Sequence, residues 1–218
     1  MKGRYNTMMT MKKWEKMTGV KFNSYMTGKM EGITCLSTSN LCNPFCAARK
    51  DRKDMICSRC YADASCKNYK GLRDNMARNT EILTTNLFDT FPVINAMIFR
   101  LEAFGDLVNC TQARNYLRLC KANPGVRFAL WTKNPGILAQ AIKLEGKPEN
   151  LVCILSSAKF NETCDASRWS FIDKTFTVYD KATIAAQNIA INCGSRNCLA
   201  CQRCYHKNTE TNIREQLK

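Results

Sequence analysis

A chain of 218 residues is long enough to bury one core of its own, and its 45% hydrophobic content is that of an ordinary globular protein. No run approaches the roughly 18 to 20 consecutive apolar residues of a membrane span, and a single histidine excludes most His-dependent triads and His-rich zinc hydrolase sites. The formal charge of +15 is concentrated before residue 80, so a basic face suited to nucleic acid or another polyanion is expected.

Residues 1–30 read as a basic N-terminal arm, in which Lys2, Arg4, Lys12, Lys13, Lys16, Lys21 and Lys29 face only Glu15 and Glu31. The start of the chain is basic without a continuous apolar stretch, unlike a secretory leader, so a reducing, cytoplasmic setting is expected. Residues 31–192 then alternate strand and helix patterns. Strands are expected at 32–37, 93–99, 126–131, 151–155, 174–179 and 189–191. Helices are expected at 67–89, 111–121, 134–144, where Pro135 takes the first helical position, and 182–187, capped by Asp180. Pro92 and the Asn123-Pro124-Gly125 turn separate the units. Residues 193–218 form a C-terminal cysteine cluster and a polar tail that reads as a frayed helix. Six alternating units predict an α/β fold with a parallel sheet, a partial (β/α)6 TIM-like barrel. Cysteine-rich loops are expected after its first and last strands, both opening at the carboxyl mouth of the barrel.

Fourteen cysteines are present, and eight fall into two tight groups, Cys42, Cys46, Cys57, Cys60 and Cys193, Cys198, Cys201, Cys204. Spacings of two to four residues let one loop wrap several thiolates around one metal centre, and a reducing setting argues against a disulfide scaffold. The CxxCxxC run of the second group is closer to ferredoxin spacing than to a zinc ribbon, but zinc suits four thiolates as well. Cys35 and Cys66 flank the first group. Cys110, Cys120, Cys153 and Cys164 stand alone, and the first three lie on core patterns. Other polar residues fall at expected strand ends: Glu102, Gly105 and Asp106 after the second, Thr132 and Lys133 after the third, Ser156 and Ser157 after the fourth. His206 follows the second group closely and reads as an exposed side chain.

The motifs Cys42-Asn-Pro-Phe-Cys46, Cys57-Ser-Arg-Cys60 with Tyr61-Ala62, Phe104-Gly105-Asp106 and Trp131-Thr132-Lys133-Asn134-Pro135 resemble the radical SAM superfamily. More closely, they are similar to a family of small radical-SAM-like bacteriophage proteins, over roughly residues 31–205. The resemblance departs from the usual CxxxCxxC by ten inserted residues, 47–56. It implies metal ligation by both cysteine groups, with one or two 4Fe–4S clusters. S-adenosylmethionine would be held near Glu102, Gly105, Asp106, Thr132, Lys133 and Ser156, and an electron donor such as flavodoxin or ferredoxin would reduce the site. The activity would be that of an oxidoreductase or lyase on a small-molecule or nucleic acid substrate in the host cytoplasm. Two other readings stand beside it: a non-SAM electron-transfer protein whose first cluster is closed by a fourth thiolate, and a zinc-stabilised nucleic-acid-binding module without catalysis.

Overall fold

The structure, a computed structural model, describes residues 9–194 and 197–217; Lys2 and Arg4 of the basic arm lie outside them. Six parallel strands form one open sheet in chain order: β1 (Thr34–Leu36), β2 (Ile98–Leu101), β3 (Arg127–Thr132), β4 (Leu151–Ser156), β5 (Lys174–Tyr179) and β6 (Asn212–Gln216). Sequential order with every pair parallel means that each connection returns the chain to the amino edge, as in a partial barrel. The sheet is not closed, because β1 and β6 remain edges.

The outer face of the sheet carries Leu36, Phe99, Leu101, Phe128, Leu130, Leu151 and Cys153. It is covered by α4 (Lys70–Thr85), α5 (Cys110–Ala122) and α6 (Pro135–Glu145), whose apolar stripes bring Leu83, Tyr116, Leu117, Cys120, Leu138 and Ala141 into the same core. Strand β4 is buried along its whole length, which is why it reads as a continuous apolar run. The inner, concave face carries Ile33, Ile98, Ala129, Val152 and Ile154.

Four expectations are corrected. The 1–30 segment is not simply an arm. It contains α1 (Met11–Thr18), and Trp14 is 0% exposed, its ring against Phe22, Phe88 and Phe91 and its indole N–H donating to the Thr90 carbonyl at 2.9 Å. Counting charges concealed this one anchored face. The 67–89 helix is two, α3 (Tyr61–Asn68) and α4, broken where Tyr69 takes an extended conformation. The second strand lies further on than 93–99, because the Asn123 side chain accepts from the backbone N–H of Ile94 and holds that stretch in a loop. The sixth strand is not 189–191. It is β6, in the tail read as a frayed helix, where Ile213 is the one fully buried residue and polar neighbours mask the period.

This last change relocates the second cysteine group. It does not follow the last strand; it lies between β5 and β6. After α7 (Lys181–Gln187) the chain must travel from the carboxyl edge of the sheet back to the amino edge to begin β6. It makes that descent along the inner face. Cys193 bridges Glu215 near the end of β6, Tyr205 packs on Ile33, Ile98, Ala129, Val152 and Ile154, and His206 contacts Arg127 at the start of β3.

Candidate functional site

The carboxyl edge of the sheet is a buried polar floor. Directly after β1, Ser37, Thr38, Ser39 and Asn40 are all buried. The Ser37 hydroxyl accepts from Ala103 N at 2.8 Å, Asn79 donates to the Ser37 carbonyl at 2.9 Å, and Ser39 N donates to the Thr80 hydroxyl at 2.8 Å. Glu102 follows β2 with a left-handed backbone, φ 54°, unusual for a residue with a Cβ. Its buried carboxyl accepts from Thr38 N at 3.3 Å, Thr38 Oγ1 at 3.0 Å, Gln112 Nε2 at 2.6 Å and the Tyr116 hydroxyl. Burial nevertheless pushes it up to about 8. Glu102 thus ties the ends of β1 and β2 to α5.

Gly105 is fixed by contact: a Cβ there would lie 2.6 Å from the Thr38 carbonyl oxygen and 2.7 Å from Glu102 Oε2. The turn it permits carries Asp106, whose buried carboxylate accepts from Thr132 Oγ1 at 2.5 Å, Leu107 N at 2.8 Å and Lys133 N at 2.9 Å. Burial raises its pKa; the Lys133 ammonium and these donors work in the opposite direction. Four expected residues, Gly105, Asp106, Thr132 and Lys133, are therefore brought together across β2 and β3. Ser156 is buried at the end of β4, and Asp180 accepts from Thr183 N as the cap of α7.

The first cysteine group arches over this floor. Asn43 caps α2 (Pro44–Lys50) and donates to the Asp106 carbonyl at 2.9 Å, which ties the cysteine loop to the β2 turn. Residues 47–56 cross the mouth and dock on the β4–β5 loop, where Met55 bridges Lys159 and Ile56 N donates to the Ala158 carbonyl at 2.9 Å. Burial raises Cys46 to about 12, with Asp106, Cys57 and Cys60 adding to the effect; Cys57 is raised by burial, while Lys133 works against it. Cys46, Cys57 and Cys60 therefore share one neighbourhood with Asp106, and Lys133 reaches it through Cys57. Cys42 is exposed, and burial raises Cys66, with Cys60, Asp63 and Cys42 adding to the effect. Cys164, read as isolated, is set at the same edge, its thiol 3.6 Å from the Leu155 carbonyl.

The second group lines a cavity of about 390 Å³ on the inner face, with Cys193, Cys198, Cys201 and Cys204 joined by Trp131, Tyr205 and Ile213. Cys198 and Cys201 bound the short helix α8 (Cys198–Cys201). Lys29 Nζ lies 3.8 Å from the Cys193 sulfur and pairs with Glu215, joining the β1 side to β6. Arg100, paired with Cys35 in the β1–β2 register, faces the second group. Its guanidinium lies 3.2 Å from the centre of the Trp131 ring and acts on Cys198, Cys204 and Cys35, and its buried Nε has no partner among the described residues. His206 is exposed beside Arg127.

Among the described residues no three Cys, His, Asp or Glu side chains meet closely enough to hold a metal ion as they stand. The thiols of the second group line a cavity instead, and in both groups the donors are of the soft type that suits iron–sulfur clusters or zinc. The profile of the family described as Gene product 88 matches residues 2–216. The chain belongs to this bacteriophage family. No curated protein and no solved structure matches it. The family match spans the N-terminal segment, both cysteine groups and β6, so these are parts of one family unit. Among the described residues no helix is long and apolar enough to cross a membrane.

Sequence reasoning gave no site role to Ser37–Asn40, Asn79, Gln112 and Tyr116, and it read Asn43 only as part of the first cysteine motif. Four consecutive small polar residues straight after a predicted strand were the available signal for the first of these. Gln112 and Tyr116 lie a helical turn apart on α5, which marks a shared face, but nothing local ties that face to Glu102.

Proposed function

We propose that the chain is an iron–sulfur redox enzyme of radical-SAM-like type. Its first cluster would be held at the mouth by Cys46, Cys57 and Cys60, and its second in the barrel by Cys193, Cys198, Cys201 and Cys204. The observation that carries the reading is the grouping of Cys46, Cys57 and Cys60 over a buried carboxylate and an ammonium, with Cys42 exposed to one side. Three thiolates leave one iron of a 4Fe–4S cluster unligated by protein. The cavity ringed by the second group also favours a body larger than one ion, since zinc would draw all four sulfurs to about 2.3 Å of a single point.

When bound and reduced by an electron donor such as flavodoxin or ferredoxin, the cluster would supply the one electron that splits S-adenosylmethionine into methionine and a 5′-deoxyadenosyl radical. The chain's own residues do the rest. Gly105 lets the β2 turn pack against the Thr38 carbonyl and Glu102, and Asp106, pre-oriented by Thr132 and Lys133, offers a carboxylate to an ammonium. Lys133 balances that charge when the ligand is absent. Glu102 braces the floor from behind, and the 47–56 insert, pinned to the β4–β5 loop, screens the mouth from water.

Anaerobically purified protein is expected to be brown, with iron and acid-labile sulfide for two clusters. Cys57→Ser and Cys201→Ser should each lose about half the iron, one cluster of two, whereas Cys42→Ser should keep it all. Adding S-adenosylmethionine should change the electron paramagnetic resonance spectrum of the reduced protein. Colourless protein with stoichiometric zinc refutes the cluster assignment. Loss of iron from Cys42→Ser, with a spectrum indifferent to S-adenosylmethionine, leaves an electron-transfer protein instead.

A further inference from the structure

The insert that covers the mouth belongs to a strongly positive stretch of the chain. Residues 44–78 hold nine cations against four carboxylates, about a third of the net excess in about a sixth of the chain. Three of the cations are paired: Arg52 with Asp54, Lys67 with Asp63, Arg73 with Asp74. Lys50, Lys53, Arg59, Lys70 and Arg78 are exposed and have no carboxylate within 4.0 Å among the described residues. Some long cations elsewhere are neutralised, as where Arg114 and Arg118 share Glu145 and Lys147 holds Asp173, while the exposed Lys12, Lys13 and Lys16 of α1 have no carboxylate within 4.0 Å among the described residues. Charge alone therefore does not single out this stretch; the rings set among its cations do.

Aromatic rings are set among these charges. Tyr61 is 54% exposed, Tyr69 65% and Tyr25 94%. Met26, next to Tyr25, and Ala62, next to Tyr61, belong to one apolar cluster with Leu72 of α4, and Tyr69 stands between α3 and α4. Tyr61 is anchored by its hydroxyl, which donates to the Ala103 carbonyl on the β2 turn, and its ring tilts against Phe104. A half-exposed ring fixed at the edge of the mouth, with a second beside it between α3 and α4, presents flat apolar faces within reach of unpaired cations. Unpaired cations that track a phosphate backbone, with rings on which bases stack, form a single-strand binding surface. A duplex offers only its phosphates here, since its bases already stack on one another. A base in a duplex would also have to leave its stack to reach the floor under the insert.

We propose that the surface formed by residues 44–78 and Tyr25 binds single-stranded nucleic acid and leads one nucleotide to the mouth. That it is led to a reacting site rests on the redox reading above; the binding does not. The probe is a fluorescein-labelled 20-nucleotide oligothymidylate, followed by anisotropy between 50 and 200 mM salt, with a duplex of equal length in parallel. The single strand should bind at least tenfold tighter than the duplex, and its affinity should fall steeply with salt. Reversing Lys50, Lys53 and Lys70 together to Glu should weaken binding tenfold or more and flatten the salt slope. Tyr69→Ala should weaken it about fivefold or more with the slope unchanged, as loss of one stacked base predicts. Reversing Lys121 and Lys143, on α5 and α6, is the control and should change nothing. Equal affinity for duplex, no binding at low salt, or equal weakening by the control overturns the proposal. Binding by a protein that lacks iron would refute the redox reading alone, and an iron-loaded protein that binds no strand would refute the surface alone.

Discussion

Gly105→Ala is expected to destabilise the folded chain by about 2 to 4 kcal/mol, in the range of severe overpacking at a constrained site. The new methyl carbon would sit 2.6 Å from the Thr38 carbonyl oxygen, 2.7 Å from Glu102 Oε2 and 2.9 Å from Thr38 Oγ1. None of these can step aside cheaply. Thr38 lies on the β1 exit, whose own hydroxyl donates to Glu102, and Glu102 is held from its far side by Gln112 and Tyr116. The ends of β1 and β2 would have to separate, breaking the Glu102 N to Leu36 carbonyl bond of 3.0 Å that pairs them beyond the ladder. Urea unfolding monitored by tryptophan fluorescence measures the loss. A stability within about 0.5 kcal/mol of the wild type, the range of an unstrained surface change, would mean that the turn relaxes freely and is not part of a rigid floor.

The apolar residues that mark β1, β3, β4 and β5 in the sequence do so because each of these strands is buried on at least one face. Strand β6 escapes because it is an edge strand. Asn212, Arg214, Glu215 and Gln216 tolerate partial exposure, and Ile213 alone cannot define a period. That single missed strand moved the second cysteine group from outside the barrel's last strand to its inner face. The spacing of the cysteines was legible; their place was not, because it depends on which strand the chain returns to.

The functional edge divides in the same way. Thr132 and Lys133 were legible as polar residues ending an apolar strand, and their meeting with Asp106 follows from the β2–β3 register. The brace behind Asp106 was not legible, because it joins residues far apart in sequence: Thr38 with Glu102, Glu102 with Tyr116 of α5, and Asn43 with the Asp106 carbonyl. Buried polar groups must find partners, but sequence does not say which. Cys42 teaches the same lesson in reverse. Its spacing to Cys46 was legible, but not that the turn before α2 leaves it exposed while Cys46 is half-buried.

The Glu102 carboxyl should make folding stability fall between about pH 4.5 and 8. Its ordinary value is 4.5, and burial raises it to about 8 despite the hydrogen bonds from Tyr116 and Thr38. Below both values the folded and unfolded chains hold the proton alike, and the contribution to stability is complete. Between them the unfolded chain releases its proton and the folded chain keeps it. Stability therefore drops with rising pH, by at most about 1.4 kcal/mol per unit and a few kcal/mol in all. Above about 8 both forms are ionised and the slope ends. Asp106, also raised by burial, adds a slope of the same sign, so the comparison must be made against a variant. Glu102→Gln keeps the shape and an oxygen to accept from Gln112, and it cannot ionise. Its stability should be close to wild type at pH 5 and higher by a few kcal/mol at pH 8. Denaturant titrations at half-unit intervals give the difference directly. Parallel curves for the two proteins would show that Glu102 is already ionised at pH 5. Its four donors would then outweigh its burial, and the floor would carry a fixed negative charge beside Asp106.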